Sequence, residues 1–241
     1  MSMRTVKYWL ALSACVLCVW CTGRADASVS ADMPHICPLN GERFMAMVPQ
    51  SASFVIIRLD FRQVGSAVSP WPMVTCPGNG FPLFEQTFSP EELVKLKAFA
   101  ETAEYQTLRK DHPVYYLVAR LQRLLNRPLD HIAASMVYAS WQSEPDEQRA
   151  RTYLAEALPL FQEFLERSPP ADAKKAANLR FLTVELHRRL GRFEQAAALL
   201  QQHRDQIATV IPPAYMDLEA LLIRQQKSAP AAPGMPDSKV P

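Results

Sequence analysis

The sequence predicts an α+β chain that is mostly α: a small β-rich segment over residues 28–88, then an antiparallel helical array over residues 89–226. Three observations carry this. The runs Phe44 to Val48 and Phe54 to Phe61 are rich in aromatic and β-branched residues and are bounded by Pro, Gly and Ser, as strands are. From Ser89 onward the apolar residues recur at helical spacing instead. Two near-identical pentapeptides, Cys37-Pro38-Leu39-Asn40-Gly41 and Cys76-Pro77-Gly78-Asn79-Gly80, mark a pair of matching turns in the first part.

Residues 1–27 read as a secretory signal. Arg4 and Lys7 give a positive start, Tyr8 to Trp20 is an apolar run, and Ala25-Asp26-Ala27 offers a small-x-small cleavage site before Ser28. The run is short for a transmembrane helix, so no membrane span is expected after cleavage. Two other readings compete: Leu12-Ser13-Ala14-Cys15 as a lipid-attachment box with the anchor on Cys15, and an uncleaved anchor. Cleavage places the protein outside the cytoplasm, in the periplasm or secreted, within the cell envelope. It also removes Arg4, Lys7, Arg24 and Asp26, which turns 26 basic and 24 acidic residues into 23 of each. A neutral mature chain with no basic stripe gives no support to nucleic-acid binding.

Within residues 28–88, Pro49, Pro70, Pro72, Pro77 and Pro82 keep any sheet small. Gly41 and Gly80 each stand four residues after a cysteine, where the turn calls for positive φ, and Asn40 and Asn79 tolerate that conformation next best. Ser89-Pro90-Glu91-Glu92 is a capping box with Pro at the first helical position, and Leu93, Leu96, Phe99 and Ala100 form the apolar face behind it. Further helices are expected from Pro113 to Leu125, Leu129 to Ser143, Asp146 to Arg167, Asp172 to Leu190, Phe193 to Ile207 and Pro213 to Gln226. Pro159 predicts a kink in the fourth helix. Residues 227–241, with Pro230, Pro233, Pro236 and Pro241 among Ala, Ser and Gly, read as a disordered tail.

The stretch Glu185 to Leu200 resembles the helix-turn-helix centre of a tetratricopeptide repeat (TPR). Gly191 stands at the tight turn, Phe193 and Leu200 at the packing positions, and Ala196 where the helices approach closely. Leu129 to Ser143 with Asp146 to Ser168 reads as a second, degenerate pair, with Ala150, Ala157 and Phe161 at the small and large positions. Each cysteine pentapeptide resembles a zinc-ribbon knuckle, Cys-Pro-x-Cys-Gly, with Asn in place of the second cysteine. Together the two halves resemble an uncharacterised family of bacterial proteins that pair an N-terminal zinc ribbon of this type with C-terminal TPR-like helices. Arg58-Leu59-Asp60-Phe61 and Phe81 and Phe84 after the second turn add to the likeness. The resemblance implies zinc where both cysteines of each knuckle are present. Asn40 and Asn79 depart from that pattern and put the metal in doubt, because two thiolates and two amides make a poor tetrahedral site.

Three readings of the cysteines stand side by side. Two cysteines left in an exported chain point to a structural Cys37 to Cys76 disulfide, which turns facing each other as in a ribbon would allow. A zinc site would instead recruit His35 with Cys37 and Cys76, and Asp60 or Asp32. A thiol-redox pair lacks the Cys-x-x-Cys motif that lowers a thiol pKa. No cofactor is expected on the first reading. Catalytic residues are not apparent: there is no Gly-x-Ser-x-Gly, Walker or Rossmann glycine set, and seven glycines leave little room for a phosphate cradle. His112, His131, His187 and His203 read as surface or cap residues. Trp71, between Pro70 and Pro72, either plugs the β segment onto the first helix or stands exposed as a partner contact. The expected function is a non-enzymatic scaffold or adaptor that binds a protein or peptide through its helices.

Overall fold

The computed structural model describes residues 29–235; the signal expected over residues 1–27, with Cys15, and the last six residues of the expected tail lie outside them. Helices take 53% of the described residues, which are mostly α, with two small antiparallel sheets. β1 (Val29–Ile36) and β2 (Arg43–Ser51) form one two-stranded ribbon, and β3 (Phe54–Ile57) and β4 (Gln63–Gly65) the other. In the first ribbon Pro34 pairs with Met45 and Pro49 with Ser30. The Cys37 N–H bonds the Glu42 carbonyl at 2.8 Å. Counting in twos from that pair, both prolines fall at positions whose backbone groups point away from the partner strand, where a missing N–H breaks no ladder bond. One face of this ribbon carries the exposed side chains of Ile36, Met45 and Met47.

After β3 the chain turns inward. Arg58, Leu59 and Asp60 are buried, and Phe61 takes positive φ (65°) and packs its ring 6.0 Å from Phe181. Residues 66–88 then cross the helices. The Tyr115 hydroxyl donates to the Trp71 carbonyl at 2.9 Å, and Met73 packs against the main core. Trp71 itself is 41% exposed, so it is not the plug. Met73 reaches the core instead.

Nine helices follow among the described residues: α1 (Pro90–Ala100), α2 (Ala103–Asp111), α3 (Val114–Leu124), α4 (Leu129–Gln142), α5 (Glu147–Arg167), α6 (Ala173–Arg189), α7 (Phe193–Gln202), α8 (Arg204–Ile207) and α9 (Pro213–Arg224). α1 carries the expected capping box, with the Ser89 hydroxyl and the Glu92 carboxylate each taking the other's backbone N–H. Each helix from α3 to α7 packs on the next in the chain, and α9 returns against α6 and α7. α3 and α9 end on Asn126 and Gln226 with positive φ, as α6 ends on Gly191, and the N–H two residues past each cap reaches back to a carbonyl of the last turn.

Three apolar clusters result. The largest fills α3 to α6 around Met136, Tyr153, Leu158 and Phe161. A second joins Leu59 to Phe181, Val184, Ala196, Leu200 and Ile223. The third packs Cys37, Cys76 and Phe81 onto Leu96, Tyr105, Leu117 and Leu121.

Several expectations need correction. β1, β4 and α2 appear where none was anticipated, and the helix expected over Phe193 to Ile207 breaks at His203. Pro159 stands inside α5, where the kink is expected, and the helix continues past it to Arg167. Pro159 and Ala155 are both exposed, so the carbonyl left without a helical donor lies on the watered side of the helix. Residues 227–235 are not a loose tail. Ala232 is buried, the Leu59 N–H bonds the Ala231 carbonyl at 2.9 Å, and Arg188 binds the carbonyls of Lys227 and Ala229 at 2.6 and 3.0 Å.

Candidate functional site

The two cysteine turns have the same hydrogen bonds. In the first, the Gly41 N–H bonds the Cys37 carbonyl and the Cys37 N–H bonds the Glu42 carbonyl, both at 2.8 Å. In the second, the Gly80 N–H bonds the Cys76 carbonyl at 2.8 Å and the Cys76 N–H bonds the Phe81 carbonyl at 2.9 Å. Gly41 and Gly80 hold φ of 73° and 68°, and a Cβ on Gly80 would also strike the Arg109 side chain. Asn40 and Asn79 do not take positive φ. Their side-chain carbonyls accept the N–H two residues on, Glu42 at 3.1 Å and Phe81 at 2.9 Å. The amide oxygen therefore closes each turn from inside. Pro38 and Pro77 fix φ just after each cysteine.

Cys37 and Cys76 join in a disulfide with 5.5 Å between Cα atoms, and both are buried. Asn79 Nδ2 lies 3.6 Å from Cys37 Sγ, and the Gly78 N–H reaches the Glu42 carboxylate at 3.4 Å, so each turn also touches the other. With both sulfurs bonded to each other, the set of His35, Cys37 and Cys76 has no thiolate to offer a metal. Among the described residues no three of His, Cys, Asp and Glu are grouped to hold an ion. His35 lies 5.7 Å from the Phe44 ring instead. Asp32 is exposed on β1, and Asp60 is committed to arginines.

The helical part offers a cleft of about 360 Å³ between three consecutive helices. Gln162, Leu165 and Glu166 come from α5, Arg180 and Thr183 from α6, and Leu199 and Gln202 from α7, with His203 at its end. Gly191 forms the turn between α6 and α7, and Ala196 and Leu200 turn the other side of α7 into the second core, with Phe193 packed at the edge. Burial and the neighbouring Arg180 hold the His203 imidazole below its ordinary pKa. His187, expected at the surface, is buried, because α6 is covered by α5 on one side and α7 and α9 on the other. It meets Gln162 at 3.3 Å.

Two buried ionic networks went unforeseen. Asp60 takes a bidentate pair from Arg58 (3.1 and 2.6 Å), the Trp141 Nε1–H (2.9 Å) and Arg189 (3.3 Å). Glu144 pairs with Arg58 at 2.7 Å and with Arg62. Burial alone would raise the Asp60 carboxyl; Arg58 and Arg189 outweigh it and hold the group below the usual carboxylate range. In the second network Arg188 takes Glu185 in two bonds of 2.8 Å and Glu219 at 3.0 Å. Burial, with Glu185 nearby, pushes the Glu219 carboxyl well up. Glu185 and Arg188 stand three apart on α6 and were legible as a pair; Asp60 and Arg189 are far apart in sequence and were not.

No family model, curated protein or solved structure matches this chain. No helix among the described residues is long and apolar enough to cross a membrane.

Proposed function

We propose that the protein is an exported, non-enzymatic binding scaffold, whose TPR-like helices hold an extended peptide or protein segment in the α5–α6–α7 cleft. The N-terminal part is a degenerate zinc ribbon in which the Cys37–Cys76 disulfide takes the place of the metal and Asn40 and Asn79 replace the missing sulfur acceptors. The cleft carries the functional reading. It mixes apolar walls, Leu165 and Leu199, with the donors and acceptors of Gln162, Thr183, Arg180 and Gln202, which suits a chain whose backbone and side chains both need partners. Three successive helices line it, as in the concave face of helical repeats.

The test is selection of binders from a displayed random peptide library against the oxidised protein, followed by affinity measurement on wild type and Leu199→Arg. Leu199 is half-buried at the cleft wall, so the substitution blocks the groove from its margin. Selected peptides are expected to lose at least about tenfold in affinity, near 1.4 kcal/mol. Equal affinity for both proteins, or no enriched peptide, contradicts the proposal.

A further inference from the structure

A separate cavity of about 240 Å³ opens where the chain passes over α5 and α6 after α9. Its walls include Ala150 and Arg151 of α5, Glu144 just before α5, Arg189 of α6, and Ser228, Ala229 and Pro230. Beneath it lies the Asp60 network, where three guanidinium groups, Arg58, Arg62 and Arg189, face two carboxylates, Asp60 and Glu144. One positive charge is left over. In the adjoining network Arg188 is matched by Glu185, and burial, with Glu185 nearby, pushes the Glu219 carboxyl well up. At the cavity mouth Arg151 and Glu147 oppose each other in charge, and Arg151 spends its guanidinium on the carbonyls of Arg189 and Leu190, both at 2.9 Å.

The excess charge is least satisfied on Arg189. Its side chain is about nine-tenths buried, yet among the described residues its sole hydrogen bond is the 3.3 Å contact with Asp60 Oδ2. Arg58, by contrast, spends its donors on two carboxylates. No Arg189 nitrogen is both buried and unpartnered, so its unspent N–H groups lie where solvent or an acceptor in the cavity reaches them. Arg189 lines the cavity, so an acceptor entering there meets it.

We propose that this cavity binds a small carboxylate, the guanidinium of Arg189 gripping its two oxygens and the apolar wall of Ala150, Ala229 and Pro230 receiving a short aliphatic body. A planar carboxylate matches the guanidinium fork in two parallel bonds. A single negative charge balances the network, whereas a phosphate dianion overshoots it beside Glu144. The carboxylate comes either from a free organic acid or from the C-terminus of a peptide. The site is independent of the α5–α6–α7 cleft and stands or falls separately from it.

Isothermal titration of the oxidised full chain with propionate, inorganic phosphate, trialanine and trialanine amide tests this. Saturable propionate binding is expected in the range of about 10 mM or tighter, with no phosphate binding. Arg189→Gln and Ala229→Phe each lower propionate affinity at least about tenfold. Ala229 is exposed and leaves every charged group in place, so Ala229→Phe decides the matter if Arg189→Gln fails to fold. Trialanine binding tightly while its amide does not identifies a peptide terminus as the source; propionate and trialanine binding alike identifies free acids. Absence of saturable propionate binding to wild type, equal binding of phosphate, or wild-type propionate affinity in Ala229→Phe overturns the proposal.

Discussion

Replacing Cys37 and Cys76 together by alanine opens a loop whose ends are 39 residues apart. In the chain-entropy treatment a loop of that length constrains the unfolded chain by about 4 kcal/mol. Both cysteines are fully buried against Phe81, Leu96, Tyr105, Leu117 and Leu121, so two sulfur-sized voids add to the loss. For a chain of this size each kcal/mol moves the melting temperature by about 2–4 °C, which gives a fall of roughly 10–15 °C. The assay is thermal unfolding followed by circular dichroism, on wild type and on the double variant, each with and without a phosphine reductant. Wild type should fall on reduction by nearly as much as the variant does without it, and the variant should ignore the reductant. A double variant that melts within about 2 °C of wild type would refute the claim that the disulfide holds the N-terminal segment to the helices.

Asp60→Asn keeps the shape of the side chain and removes the charge that Arg58 and Arg189 face, so urea unfolding should show a loss of about 3 kcal/mol or more; a loss under about 1 kcal/mol would mean the network is idle. The depressed Asp60 carboxyl contributes stability that is present above the ordinary carboxylate range and lost as pH falls through its folded value. The raised Glu219 carboxyl has the opposite sign: its contribution is full below the ordinary glutamate value and declines as pH rises toward the folded value, by about 1.4 kcal/mol per pH unit. Glu219→Gln, which imitates the acid form, should remove that decline in urea titrations run upward from the ordinary glutamate value, and an unchanged pH profile would show that the Glu219 carboxyl is not raised in the folded protein. Asn40→Cys with Asn79→Cys, kept reduced, should create a tetrathiolate site that binds cobalt with a tetrahedral absorption spectrum and is displaced by zinc. Failure to bind cobalt would remove the zinc-ribbon reading of the two turns.

Much of the fold was legible wherever local chemistry decides it. The capping box at Ser89, the paired cysteine turns and the glycine turn at Gly191 all depend on residues within a few positions of one another. β1 was not legible, since Val29 to Ile36 carries a proline and no clean alternation. It becomes a strand because β2 lies beside it, with Pro34 turned to the free edge. α2 was missed because only Tyr105 of its residues is buried, leaving the Thr102 cap as its one signal. The packing of residues 227–235 was hidden for a different reason: Arg188 recognises backbone carbonyls there, and every composition supplies those. The candidate site shows the same division. Asn40 and Asn79 stood out by motif, whereas the cavity over Arg189 depends on Asp60 meeting it from across the chain.

The most direct measurement is hydrogen–deuterium exchange of the intact oxidised protein with and without a library-selected peptide. Slowed exchange confined to residues 160–166, 179–187 and 199–203 is the predicted result, since these stretches line the α5–α6–α7 cleft. Protection that falls instead on the exposed ribbon of β1 and β2, around Met45 and Met47, with the cleft unchanged, would contradict the account and move the binding surface to the N-terminal segment.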